Sequence, residues 1–486
     1  MGRHASARDL TNTLAEYVAR PLAQSEPLLC WGDSASGTHG APRFCGGPPG
    51  TGSALTAHKM LRKLLSHRLA KDTLILFGVQ ISAYVLPLIT LPFLARVLGP
   101  ANFGLTALGT AVVLYFAVVT EWGFAITGTR QIAIAQDDLA EVSKIYSTII
   151  ACKVLLMALC FAVMVALVTA IPKLRAFWPL YVLSFLQVVG FCLSPNWLLQ
   201  GMQRMRYIAY SDYGAKILSV ILIFALVRRR SDYMLVAALQ SGGFLMSAII
   251  GLTIVFGKLR LRVVRPALGD MRRELIAGWP VFLSMASMTA MSSTNTVIVG
   301  MVASPADVGF LSAAQRLIIA VRSLANPITT AVYPHISRLA AKSPHEALRF
   351  VRKQVLWTSA PFILITLGML FFAPLGVSIF YKTEYAETGV LLRIMCFTPV
   401  LHALGMCFGN YFMLAFGYQK EWAKIITRMV ILNFALVFPL LLLMRPARAV
   451  ALSTVLTDLF SAGSSAFFYW KTSSRLLREE TEMAVK

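Results

Sequence analysis

Residues 145–170 read IYSTIIACKVLLMALCFAVMVALVTA, and Lys153 is the one charge among them. About 20 mostly apolar residues cover roughly 30 Å of hydrocarbon, so this stretch is long enough to cross a bilayer. Without water the backbone must satisfy its own hydrogen bonds, which makes the stretch a helix. Eleven further stretches of the same kind flank it. They are Leu74–Leu94, Leu105–Ile126, Leu174–Leu193, Ala215–Val227, Met234–Phe256, Leu275–Val299, Val308–Tyr333, Val355–Phe380, Val390–Leu414, Trp422–Met444 and Val450–Trp470. The fifth span, Ala215–Val227, is short, and its helix is expected to begin near Tyr207 or Tyr210. Composition agrees: 57% of residues are hydrophobic and 14% charged, where a soluble domain has about 25% charged. The chain reads as an all-α polytopic membrane protein with about 12 transmembrane helices.

Lys and Arg set the orientation. With the N-terminus inside, the inner loops hold Arg130 and Lys144, Arg204 and Arg206, a cluster from Lys258 to Arg273, another from Arg338 to Lys353, and Lys420 and Lys424. Outer loops hold fewer, and only the Arg228–Arg230 run opposes the assignment. Both termini are therefore expected in the cytoplasm. The net charge of +23 is read as this topology signal plus attraction to anionic inner-leaflet lipid. No basic soluble domain exists to bind nucleic acid.

Residues 1–58 are rich in Gly, Pro, Ser and Ala and read as a disordered tail. Gly47-Pro48-Pro49-Gly50-Thr51-Gly52-Ser53 imitates a phosphate-binding loop, but Ser53 stands where the lysine belongs. A translation start at Met60 is the alternative reading of this end. Residues 59–73 then form a basic amphipathic segment on the membrane surface. The remainder divides into an N-lobe (74–256), a basic inter-lobe loop (257–274), a C-lobe (275–470) and a cytoplasmic tail (471–486). No CxxC or HExxH pattern occurs, so neither a metal nor another cofactor is expected, and no loop is long enough to fold as a catalytic domain. The chain is not expected to be an enzyme.

Two junctions share a pattern. Gly99-Pro100-Ala101-Asn102-Phe103-Gly104 follows the first span, and Ser304-Pro305-Ala306-Asp307-Val308-Gly309 follows the seventh. Pro, Ala, the Asx residue and Gly recur at one constant offset. Proline fixes φ and the Asx side chain is suited to capping the next helix. The spacing divides the chain into two halves of six spans. Six is even, so both halves enter the membrane in the same sense, as two pseudo-symmetric lobes around a central cavity.

A charge at the bilayer centre costs at least ~2.5–3.5 kcal/mol and hints at function. Lys153, Arg316, Arg322, Arg393 and Arg428 are the basic candidates; Glu121 and Asp458 are the acidic ones. Arg322, too deep for its head to snorkel to an interface, leads as an anion-binding group, followed by Arg316, with Lys153 and Arg393 behind. Glu121 and Asp458 are read as an ion-coupling pair or as lobe ion-pair partners. The eighth span is polar around Gln315, Asn326 and Pro327, and the seventh around Asn295. Such helices pack closely or line water, and the amides suit sugar hydroxyls.

The run from Asp307 to Arg316, with Ala325-Asn326-Pro327 and Tyr333-Pro334-His335 after it, resembles the polysaccharide biosynthesis (Wzx/RfbX-type) flippase family. So do Leu91–Pro100, which contains Arg96, and Thr129-Arg130-Gln131. That family usually has Asp where Glu121 stands. The resemblance implies an inner-membrane carrier that flips undecaprenyl-diphosphate-linked oligosaccharide repeat units for O-antigen or exopolysaccharide synthesis. It implies alternating access by two six-helix lobes and suggests coupling to an ion gradient. A polysaccharide polymerase and a chain-length regulator are its further partners. A cation-coupled multidrug exporter of the same fold would want more acids in its cavity. A lipid-linked peptidoglycan precursor flippase stays open beside it.

Overall fold

A computed structural model describes the backbone from Ala70 to Val485, with side chains from Ile89 to Arg475 except Met291, Ser292 and Ala331. The expected tail 1–58 and most of segment 59–73 lie outside the described residues. Described residues outside the loops are helical, in the order α1 (Ala70–Glu121), α2 (Phe124–Ile134), α3 (Leu139–Ala170), α4 (Trp178–Leu193), α5 (Asn196–Gly201), α6 (Met205–Leu226) and α7 (Tyr233–Gly257). These follow from the first half of the sequence. The second half gives α8 (Leu268–Val302), α9 (Pro305–Ser323), α10 (Ala325–Lys342), α11 (Pro344–Phe380), α12 (Ala386–Met395), α13 (Thr398–Met406), a π-helical turn (Cys407–Leu414), α14 (Gln419–Leu443) and α15 (Pro446–Val485). Short turns at Pro172–Arg175, Arg230–Asp232 and Thr383–Tyr385 complete the order.

Ten of the described stretches are long and apolar enough to cross a membrane, and an eleventh is the bent pair Leu268–Ala290 and Ser293–Val302. The first of the ten turns at Gly99, whose φ of 73° and ψ of 170° leave the helix. Split there, the count is the expected twelve. Gly99 makes that turn because a side chain strongly disfavours this backbone conformation.

Where the helices break, the sequence supplies the cause. Pro327 lacks an N–H for the carbonyl four residues back, that of Ser323, and α9 ends at Ser323. The tenth span is not one helix but α12, α13 and the π turn in succession. The fifth span extends toward the N-terminus, as its shortness predicts: α6 begins at Met205, two residues before Tyr207. Asp212 and Lys216 therefore lie inside a transmembrane helix. The last helix runs past Trp470 to Val485.

The two repeated junctions meet each other. A Cβ on Gly104 would lie 1.8 Å from the Pro305 carbonyl oxygen, and one on Gly309 would lie 2.0 Å from that of Pro100. Gly104 touches Pro305, and its repeat mate Gly309 touches the mate of Pro305. That reciprocity is the mark of a two-fold interface. It runs between the start of α9 and the middle of α1, and both glycines are needed because the approach is backbone to backbone.

Other contacts between the lobes gather at this same Pro100 end. Arg96 Nε donates to the Phe380 carbonyl at 2.9 Å, and its Nη2 to that of Ile379. These are last-turn carbonyls of α11, where a cation is favoured by the helix dipole. Tyr385 donates to the Ala95 carbonyl at 3.1 Å, and Arg230 pairs with Glu384. Lys173 Nζ reaches the Met301 carbonyl at 2.8 Å and that of Ala303 at 3.1 Å. The cap of α9 is Ser304, whose Oγ accepts from the Asp307 N–H at 3.3 Å; Asp307 serves three residues on, its carboxylate accepting from the Ser304 N–H at 3.2 Å, rather than as the cap itself. Asn102 does not cap. Its amide donates to the Arg230 carbonyl at 2.7 Å. At the opposite end, among the described residues, the start of α8 is tied to the N-lobe helices. There Trp122 donates to the Leu275 carbonyl at 2.8 Å, and Gln131 donates to Glu274.

Candidate functional site

Two cavities take in part of the intramembrane charge, one of them Arg316 and the other Arg322 and Asp458. The first has a volume of about 410 Å³ and is walled mainly by α1, α4, α6 and α7, with Arg316 entering from α9 of the other lobe. Asp212, Lys216, Asn196 and Ser247 also line it. The second, about 470 Å³, lies wholly among C-lobe helices and is lined by Arg322, Asn326, His402, Asn410, Trp422 and Asp458.

Arg316 lies over the Phe103 ring, 5.6 Å from its centroid. Phe103 belongs to the first repeated junction, so the guanidinium rests where the two lobes meet. Among the described residues Arg316 has no carboxylate within ion-pair distance. A half-buried guanidinium with no counter-charge keeps its donors for an incoming anion.

Arg322 is committed differently. Its Nη2 donates to Asp458 at 2.9 Å and stands 3.3 Å from His402 Nδ1. Its Nε is buried without a partner among the described residues. Arg322 and Arg316 are thus not brought together; each serves its own cavity.

Lys153 lines neither described cavity. Its side chain is 1% exposed, and Nζ sits 2.8 Å from Glu121 and 3.2 Å from the Phe191 carbonyl. Both intramembrane acids of the sequence reading are therefore ion-paired within a lobe, Glu121 with Lys153 and Asp458 with Arg322. Arg393 is exposed on α12 and lines no cavity described here, and Arg130 is exposed near the end of α2. Gln315 accepts from Thr296 at 3.2 Å, joining α9 to α8. Asn295 donates to Thr454 at 3.4 Å while its Oδ1 stays buried and unpartnered. Pro334 bears no such constraint: it lies inside α10, exposed.

Sequence reasoning missed Asp212. Its carboxylate accepts from Asn196 at 2.9 Å and from Ser247 and, among the described residues, has no cation within ion-pair distance. The signal was present: Asp212 and Lys216 stand four apart, one helical turn, just ahead of an apolar run judged too short to span.

These are the surroundings of a carrier, and comparison with known proteins agrees. Residues 69–340 match the polysaccharide biosynthesis protein family. A protein of Escherichia coli (strain K12) described as "Putative O-antigen transporter" is 31% identical over 373 residues, 76% of this chain and 90% of the relative. Its counterpart from Shigella dysenteriae is 27% identical over 372 residues, 76% of this chain and 92% of that one. Both are named as transporters, in keeping with the expectation that the chain is not an enzyme.

Among solved structures, "Lipid II flippase MurJ, inward closed conformation" superposes with a TM-score of 0.64 at 15% identity, over 83% of this chain and 91% of that one. An inward-facing multidrug resistance MATE family transporter gives 0.61 at 15% identity, over 81% and 96%. At such identity the likeness is one of fold, a twelve-helix, two-lobe transporter fold. The matched segment takes in α1 with Gly99, both repeated junctions, and Arg316 and Arg322. This multi-pass membrane chain belongs to the polysaccharide biosynthesis protein family.

Proposed function

We propose that this chain flips polyprenyl-diphosphate-linked oligosaccharide repeat units, for O-antigen or exopolysaccharide assembly, across the bacterial inner membrane. The carrier lipid is undecaprenyl diphosphate, both termini are cytoplasmic, and two lobes alternate access. The observation that carries this reading is Arg316: a cation at membrane depth, without a counter-charge among the described residues, at the wall of a cavity to which both lobes contribute. Guanidinium matches the diphosphate's paired oxygens. Arg322, already bound to Asp458, is second to it, which reverses the order the sequence suggested. Family membership and the transporter names of the relatives support the reading, and the Lys/Arg bias of the loops supports the orientation.

Arg316→Ala removes the charge-assisted bonds to the diphosphate, each worth about 1.5–3 kcal/mol. Surface polysaccharide should fall by at least tenfold while the protein still inserts, with Arg316→Lys intermediate because the point charge remains but the fork is lost. Full-length polymer at wild-type amount in the Arg316→Ala strain would remove this residue from the mechanism.

If an ion gradient drives the cycle, Asp212 is the carboxylate to bind the ion, since Glu121 and Asp458 each face a cation. Asp212→Asn should then leave cargo binding intact and abolish the response of flipping to an imposed proton or sodium gradient. An unchanged gradient response in vesicles would assign coupling elsewhere. A drug exporter is the second reading, favoured only by this acid. Unaltered drug susceptibility of a deletion strain tells against it.

A further inference from the structure

We propose that the C-lobe cavity is a sugar-binding subsite, in which Trp422 stacks against a pyranose ring of the cargo while Asn410 and Arg322 bind its hydroxyls. This rests on the flippase reading and adds where the glycan is recognised. At about 470 Å³ the cavity is within the ordinary range for small-ligand sites.

Three of its walls present polar groups with nothing to bond. Arg322 Nε is buried and unpartnered although its Nη2 holds Asp458. Asn410 lines the cavity, and its amide has no hydrogen-bond partner among the described residues. The Trp422 indole N–H likewise has none among them. Polar groups of a cavity wall that no protein group satisfies are left to bond water or a ligand. A polyhydroxylated ligand satisfies all three, since vicinal hydroxyls both donate and accept.

The backbone has been shaped to hold the indole there. Asn410 sits in the π-helical turn Cys407–Leu414, an insertion in the helical register of the kind found at functional sites. Gly409 of the same turn lies against the benzo end of the Trp422 indole: a Cβ there would be 2.4 Å from Cη2 and 2.5 Å from Cζ3. Only glycine lets the indole lie this close to the turn that carries Asn410. Sugars offer a C–H face to a flat aromatic surface and hydroxyl edges to planar amide and guanidinium groups, and this cavity is lined by all three kinds of group. A tryptophan serving only as an interfacial anchor would need neither the glycine against its ring nor the amide on the same cavity wall.

The test uses the full chain, purified in nanodiscs, and two probes. One is the delipidated repeat-unit glycan released by mild acid from the host's own lipid-linked pool; the other is undecaprenyl diphosphate without sugar. Trp422→Ala should weaken glycan binding by about tenfold, the loss of one stacked contact. Trp422→Phe should recover part of it, and Asn410→Ala should weaken it by several-fold. None of the three should alter binding of undecaprenyl diphosphate. Glycan affinity unchanged in both alanine variants, with the diphosphate still bound, overturns the sugar site and leaves the flippase reading standing. Wild-type protein that binds the diphosphate but not the glycan overturns it as well. Wild-type protein that binds neither probe overturns the flippase reading itself. Should Trp422→Ala fail by gel filtration or melting, Asn410→Ala decides, since its side chain supports no other group.

Discussion

Valine at Gly309 should force the lobes apart at the Pro100 end and abolish polysaccharide export. A Cβ at this position would stand 2.0 Å from the Pro100 carbonyl oxygen, and one at Gly104 would stand 1.8 Å from that of Pro305. The obstacles are backbone atoms at a helix junction, which cannot rotate aside as a side chain can. Overpacking a tight contact typically costs about 1–3 kcal/mol. At the upper end that is roughly a hundredfold in any equilibrium between joined and parted lobes. Arg96, Tyr385 and Lys173 bridge the lobes at this end, and their bonds open together if it opens. Spin labels on the exposed Arg229 and Lys382 should report a longer distance in Gly309→Val than in wild type. Because the contact is reciprocal, Gly104→Val should produce the same lengthening. A wild-type distance with normal export in both variants would show that the glycines serve no closure. A large effect from one and none from the other would break the proposed symmetry.

That symmetry was legible because it is written in the primary structure, as Pro, Ala, Asx and Gly recurring at one offset. Helix count was equally legible, since hydrophobic length is a local property. The break after Ser323 could be read from Pro327 for the same reason. Pairing is not local. Glu121 and Lys153 were visible as charges out of place, yet their distance depends on how α1 and α3 rotate about their axes, which hydropathy does not encode. Arg393 shows the same limit from the other side: it was a candidate behind Arg322 and Arg316, but it is exposed and lines neither cavity. Asp212 was missed for a different reason: a helix starting near Tyr207 already contained it, but only the cavity shows that its face meets the space that Arg316 lines. We reverse the order of the two arginines for a further reason. Depth says how costly a cation is, whereas readiness to bind an anion depends on whether a carboxylate already satisfies it.

The same distinction separates the two ion pairs in a stability experiment. Lys153 is 1% exposed and lines neither cavity, so Lys153→Met leaves Glu121 without its cation. Breaking a buried pair from one side costs about 3–5 kcal/mol, and Glu121→Gln should cost a comparable amount. Replacing both at once with Met and Gln should restore most of the loss, because the pair's mutual attraction only offsets its own desolvation. Thermal melting of the detergent-solubilised protein checks this: two low melting points for the single variants, and one near wild type for the double. A double variant as unstable as the singles would mean that Lys153's bond to the Phe191 carbonyl, not the pair, holds α3 against α4. Arg322 and Asp458 should behave otherwise. Their pair borders a cavity, Arg322 is 23% exposed, and a second group, His402, stands beside the guanidinium. Asp458→Asn keeps a hydrogen-bond acceptor there, so the melting point should shift by much less than for Lys153→Met. Equal destabilisation by the two would show that Arg322 is as fully committed to packing as Lys153 is, and would leave Arg316 as the cation that meets the cargo.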